Sequence, residues 1–223
     1  MTRIYLLPGL AADHRTFSHL SFPGLEAVPL AWVPPKPEDT MADYARKLRE
    51  QVQEDEPFLL LGVSFGAMVI SELAELTQPA HTFVVSSAKT RFEVPGFYQY
   101  IRFLPKVIPY PVWQQAFYKS RVRKTDLDEE ELRPIREMIY DSEPDLFRWA
   151  TSAVLRWERE KRVANLSHIH GTKDPIFPPK YVQPDRWLPE GNHFLINTHS
   201  DTIVQWVQEK ALKLDLLSET VGS

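Results

Sequence analysis

Ser64 stands in Gly62-Val63-Ser64-Phe65-Gly66, a serine with a glycine two residues away on either side. The run Phe58-Leu59-Leu60-Leu61 before it reads as a buried strand, and Phe65–Leu76 after it reads as a helix. A serine at the apex of such a turn occupies a strained backbone conformation, and the flanking glycines let strand and helix approach without Cβ clashes. The helix then aims its positive N-terminal end at the hydroxyl, favouring negative charge that develops beside it. The spacing makes Ser64 a candidate nucleophile; the plainer alternative is a turn that contains a serine.

A serine hydroxyl is a poor nucleophile at neutral pH, so this chemistry demands a general base held in one tautomer by an acid. Asp174, in His170-Gly171-Thr172-Lys173-Asp174-Pro175, follows a predicted strand and lies in the loop beyond it, where ligand chemistry gathers in open parallel sheets. His193, in Gly191-Asn192-His193-Phe194, lies in a loop before the last predicted helix and is the candidate base; His199, six residues on, is its rival. The remaining histidines sit in or beside predicted strands and helices. His168-Ile169-His170 puts two imidazoles on one strand face, with no third ligand at a suitable spacing, so no metal is expected; the serine chemistry calls for no cofactor. Attack on a carbonyl creates an oxyanion that needs two N–H donors. Phe65 offers one at the helix start. Leu10, in the loop Leu7-Pro8-Gly9-Leu10-Ala11-Ala12-Asp13, offers the other, with Gly9 permitting the tight turn and Pro8 unable to donate.

Positioning these groups requires a sheet. Ile4–Leu7, Phe58–Val63, His81–Ser86 and Ser167–Ile169 read as buried strands, with weaker candidates at Ala27–Val33 and Arg186–Leu188. Helical patterns fall between them at Asp13–Leu20, Met41–Gln53, Phe65–Leu76 and Asp201–Leu214. The alternation predicts an α/β fold with a mostly parallel sheet of about six strands and helices on both faces. Residues 90–163 carry no strand-like run and read as a helical insertion, with one helix on the apolar face Leu146, Trp149, Ala150, Ala153 and Trp157, started by Pro144. A second covers Leu127–Tyr140, with Asp126 as a cap and Pro134 inside it. The aromatics of the insertion either form a lid or pack on the sheet, and both readings stand.

The 223 residues suit one domain, 1–223, with the insertion inside it. There is no cysteine, which excludes disulfides, thiolate metal sites and a cysteine nucleophile. A net charge of −4 supplies no broad positive field for a nucleic acid, and no segment reads as a membrane span or signal peptide, so the expected location is cytoplasmic. The basic run 119–124 is offset by the acids that follow it. Arg156–Glu160 and Glu158–Arg162 have the i, i+4 spacing of helical ion pairs.

These motifs resemble the α/β-hydrolase family, in which nucleophile, acid and histidine follow in the order seen here as Ser64, Asp174 and His193. The likeness spans nearly the whole chain, through Leu7–Asp13, Gly62–Gly66, His170–Asp174 and Gly191–Phe194, and is nearest to small, uncharacterised bacterial members whose core starts at the oxyanion-loop strand. It implies an α/β-hydrolase fold with 90–163 as a helical cap, and a serine hydrolase acting on a small, partly apolar ester or other acyl compound. A thioesterase, C–C hydrolase or acyltransferase would share the triad, and a receptor-like protein with little turnover would share the pocket. Two departures stand out. Pro8 replaces the histidine that many members carry before the glycine. The 19 residues from Asp174 to His193 are short for a helix and a strand, which leaves only a turn around Pro178-Pro179-Lys180-Tyr181. The oligomeric state is left open.

Overall fold

The computed structural model describes residues 1–96, 98, 109–122, 125 and 127–217. Among the described residues, six parallel strands form one sheet: β1 (Thr2–Leu7), β2 (Leu25–Pro29), β3 (Leu59–Val63), β4 (His81–Val85), β5 (Leu166–Gly171) and β6 (Arg186–Leu188), in the order β2-β1-β3-β4-β5-β6. The central strands are apolar on both sides because both faces are covered. Within β3, Leu60 enters one core, while Leu59, Leu61 and Val63 enter the other. The same alternation divides Tyr5 and Leu7 from Ile4 and Leu6 in β1. Each fully buried leucine here contributes about 1.5–3 kcal/mol relative to exposure.

Helices α1 (Met41–Leu48) and α2 (Phe65–Thr77) pack on the Leu60 face. On the opposite face lie α6 (Leu195–Thr198) and α7 (Ser200–Lys213), whose Ile203, Trp206 and Val207 meet Phe83 and Leu61 in one cluster. Among the described residues, three helices, α3 (Tyr110–Val122), α4 (Glu129–Asp141) and α5 (Pro144–Leu155), lie between β4 and β5. They divide in role. Leu146, Trp149, Ala150 and Ala153 of α5 join the core over the sheet, and Trp149 Nε1 donates to the Asp39 carbonyl at 2.9 Å. Ile135, Met138 and Ile139 of α4 instead cluster with Ala11 and Phe147, over the loop that follows β1. One part of the insertion thus packs on the sheet, and another covers the carboxyl ends of its strands.

Several elements differ from expectation, for local reasons. Asp13–Leu20 holds a single 3-10 turn, His14–Phe17, because the Asp13 carboxylate accepts from the Arg15 backbone N–H at 2.9 Å and also grips the Arg15 guanidinium. The helix expected over Met41–Gln53 is α-helical only to Leu48, then tightens to 3-10 at Arg49–Gln51. The edge strand is Leu25–Pro29 rather than Ala27–Val33. Helix α4 begins at Glu129 under a capping box of Asp128 and Glu131, and Pro134 is accommodated inside it; Asp126 lies outside the described residues. Residues 157–163 are not helical, so the i, i+4 pairs do not form. Instead Glu160 pairs with Arg91, Arg162 with Asp185, and Arg159 with Glu72. Phe97, Tyr100 and Phe103 of the insertion lie outside the described residues.

Candidate active site

Chain direction locates the crevice. From β1 the chain passes to β2 on one side and then returns to β3 on the other, so strand order reverses between β1 and β3. Ligands in open α/β sheets gather at such a point, beyond the carboxyl ends of the strands. The loops at these two ends carry Leu10 and Ser64.

Ser64 has φ 52° and ψ −124°, a conformation that costs about 1–3 kcal/mol for a residue with a Cβ. Its surroundings hold it there. The Ser64 N–H donates to the Val85 carbonyl at 2.9 Å, and its own carbonyl accepts from Ala67 N–H at 3.0 Å and from Ser87 Oγ at 2.6 Å. Ser87, which follows β4, therefore braces the turn. The glycines are required by close approach. A Cβ at Gly62 would stand 2.5 Å from Ala67 Cα, and one at Gly66 would stand 2.1 Å from the Pro8 carbonyl oxygen. The second contact seats the start of α2 directly against the loop after β1. Gly9 faces the serine itself: its Cβ would lie 3.3 Å from Ser64 Cβ.

In that loop a turn closes from Ala12 N–H to the Gly9 carbonyl at 3.2 Å, with Ala11 left-handed at φ 60°. This bond uses Ala12, so the Leu10 N–H, at the second position of the turn, lies outside it. Phe65 is the first residue of α2, and its N–H has no acceptor within the helix.

The short link to the histidine is explained by a second close approach. A Cβ on Gly171 would come within 2.2 Å of the Gly191 carbonyl oxygen, so β5 and the 189–193 loop touch backbone to backbone. Thr172 N–H donates to the Leu188 carbonyl at 3.0 Å and Lys173 N–H to the Gly191 carbonyl at 2.8 Å. The intervening chain needs only one 3-10 turn, Pro179–Tyr181, and the strand β6.

His193 Nε2 lies 2.9 Å from Ser64 Oγ, and His193 Nδ1 lies 2.8 Å from Asp174 Oδ2. The other carboxylate oxygen, Oδ1, accepts from Ile176 N–H at 2.7 Å and Phe177 N–H at 3.0 Å. All three side chains are buried. Burial alone would push the Asp174 carboxyl up. The charge and hydrogen bond of His193, then His170 and the Phe177 N–H, outweigh it and hold the group below the ordinary carboxylate range. The ionised acceptor fixes His193 with its proton on Nδ1, which leaves Nε2 free to accept from the serine. His199 is not brought to the site: it stands at the start of α7 with Nδ1 2.8 Å from Thr198 Oγ1.

Among the described residues, two cavities border Ser64. One, of about 590 Å³, runs past Gly9, Leu10, Arg15, Met138 and His193 and has polar groups in its wall. The other, of about 530 Å³, is lined mainly by apolar side chains, among them Phe65, Trp113, Phe147 and Phe177. Leu10 and Ser64 border both. Among the described residues no group of three or more His, Asp or Glu side chains is arranged to hold a metal ion, and no helix is long and apolar enough to cross a membrane.

A parallel sheet with a strained serine at its strand-order reversal, and an imidazole and a carboxylate in line behind it, defines a class. The model of the alpha/beta hydrolase family matches residues 2–213, and the chain belongs to that family. Solved structures of the same fold include a thioesterase, RedJ, from the prodiginine biosynthetic pathway in Streptomyces coelicolor, with 18% identity, TM-score 0.64, and coverage of 94% of this chain and 90% of that one. A thermophilic esterase from Thermogutta terrifontis has 16% identity and TM-score 0.65, covering 96% and 90%. A bromoperoxidase from Bacillus anthracis has 13% identity and TM-score 0.71, covering 96% and 91%. No curated protein matches the chain significantly.

Proposed function

We propose that the protein is a serine hydrolase that cleaves a small, partly apolar ester or other acyl compound through an acyl-enzyme on Ser64. The observation that carries this reading is the continuous chain Ser64 Oγ, His193 Nε2, His193 Nδ1, Asp174 Oδ2, with contacts of 2.9 and 2.8 Å, at the mouth of an apolar cavity. Ser64 attacks the carbonyl carbon as His193 takes its proton, and Asp174 stabilises the imidazolium that forms. The N–H groups of Leu10 and Phe65 hold the oxyanion, and the end of α2 adds its partial positive charge. His193 returns the proton to the leaving group. A water activated by the same imidazole then releases the acid.

The acyl chain lies in the cavity lined by Phe65, Trp113, Phe147 and Phe177, and the leaving group exits through the more polar cavity beside Arg15. Burial of one methylene is worth about 0.8 kcal/mol, which is about fourfold in kcat/KM where the group is buried in the transition state. With p-nitrophenyl esters of increasing chain length, kcat/KM is expected to rise about fourfold per methylene from acetate until the cavity is filled, then level off. A profile that falls from acetate onward would contradict the assignment of this cavity. The same chains offered as thioesters report whether the leaving-group side favours sulfur, the chemistry named for RedJ.

A further inference from the structure

His168 and His170 point to one side of β5 and are completely buried, yet neither belongs to the triad. Buried imidazoles need partners for both ring nitrogens. Their partners form a single line across the ends of β4, β5 and β6. It starts at Lys89, itself buried, whose ammonium contacts Glu93 Oε1 at 2.9 Å, the Gln183 carbonyl, and His168 Nδ1 at 3.2 Å. His168 Nε2 lies 3.1 Å from His170 Nδ1. His170 Nε2 lies 2.9 Å from the Phe177 carbonyl and 3.5 Å from Asp174 Oδ2. Glu93 is held in turn by the Lys89 N–H at 2.7 Å and the Gln183 N–H at 3.1 Å.

The line has only one consistent polarity. An ammonium has three protons to give and no lone pair, so His168 Nδ1 must accept. His168 then carries its proton on Nε2 and donates to His170 Nδ1. His170 in turn carries its proton on Nε2 and donates to Phe177. The opposite polarity would set a ring lone pair against the Phe177 carbonyl and the Asp174 carboxylate, a repulsion that burial strengthens. We propose that Lys89 fixes the tautomers of His168 and His170, and that His170 is thereby a positioning residue for Asp174. Phe177 is the point of application: its carbonyl is held by His170 while its own N–H, one peptide earlier, holds Asp174 Oδ1. His170 therefore pins the turn that aims the carboxylate at His193.

The charged and titratable surroundings agree with neutral rings. Lys89 contacts His168, the charge of Arg162 also acts on it, and the His168 backbone N–H donates to Asp185 Oδ2 at 2.7 Å. Asp174, His193 and Glu93 face His170 from the other elements, and Trp187 of β6 meets its ring edge-on at 5.8 Å. Burial, then the neighbouring cations, pushes His168 well below its ordinary value, and burial pushes His170 down as well.

The proposal rests on the triad reading above, and its test separates the two. In nitrogen-15 spectra of the intact protein, His168 and His170 are both expected as neutral Nε2–H tautomers at pH 7 to 8. An Nδ1–H or doubly protonated form of either ring in that range would overturn the proposal whether or not the protein hydrolyses any ester. Lys89→Met and His170→Phe are expected to lower kcat about tenfold with KM within twofold, the scale on which a residue acts through another's orientation. The low-field Nδ1–H resonance of His193 should move in both, and Lys89→Arg, which keeps a donor, should restore kcat to within threefold of wild type. Folded Lys89→Met and His170→Phe proteins with unchanged kcat and an unmoved His193 resonance would refute the positioning role; should either fail to fold, the wild-type tautomers decide. A wild type without esterase activity but with both Nε2–H tautomers would count against the triad reading alone.

Discussion

Replacing Ser64 by alanine is expected to lower kcat by about 10⁴-fold or more while KM stays within about threefold. The variant keeps the backbone at φ 52°, the bracing bond from Ser87 and the N–H groups of Leu10 and Phe65 proposed to hold the oxyanion, so substrate binding survives. What is lost is the oxygen that bonds to the acyl carbon, together with the proton handed to His193 Nε2 at 2.9 Å. Residual rate reflects oriented water and the oxyanion donors alone. Initial rates on the ester with the highest wild-type kcat/KM measure the effect. A loss smaller than about tenfold would mean that another group carries the reaction.

Asp174→Asn should cost about 10³- to 10⁴-fold in kcat, although it changes one atom. The Ile176 and Phe177 N–H groups, at 2.7 and 3.0 Å, compel the amide oxygen to take the Oδ1 position. The amide NH₂ must then face His193 Nδ1, where the native carboxylate oxygen accepts at 2.8 Å. A donor in that place forces the imidazole to carry its proton on Nε2, pointing at Ser64, and the base can no longer accept. The substitution also alters acid stability with a defined sign. Because the folded-state carboxyl is held below its ordinary range, wild-type Asp174 contributes stability at neutral pH that is lost as pH falls through the depressed value. Denaturant unfolding of Asp174→Asn at pH 7 and below pH 4 should show less acid loss than wild type, and steady-state rates at pH 7 give the catalytic effect.

Much of the site was legible from local patterns. The elbow shows because close approach at Gly62 and Gly66 admits no Cβ, and that requirement is written two residues either side of Ser64. His193 stood out among seven histidines by lying in a loop before the last helix, with only His199, near the predicted start of that helix, as its rival. The short Asp174-to-His193 interval was read as a reduced connection, but the Gly171–Gly191 contact that makes it sufficient is tertiary and has no local signal.

Other features depend on partners distant in sequence. His168-Ile169-His170 was visible as two rings on one face, yet its role depends on Lys89 and Gln183, which come from other strand ends. Ser87 looked like any serine after a strand, since the Ser64 carbonyl it braces is 23 residues away. The 156–162 charges matched helical spacing, but Glu72, Arg91 and Asp185 offered pairs across the fold, and the helix ends at Leu155. Asp13 competed for its own neighbour Arg15 and cut a predicted helix to one turn.

Intact mass after incubation with a fluorophosphonate probe at neutral pH tests the central claim most directly, because the probe reacts with a serine only when an adjacent base has activated it. One adduct is expected on the wild type and none on Ser64→Ala. A folded wild type that gains no mass, as a receptor-like protein would behave, or a Ser64→Ala protein that is labelled equally, would contradict the account.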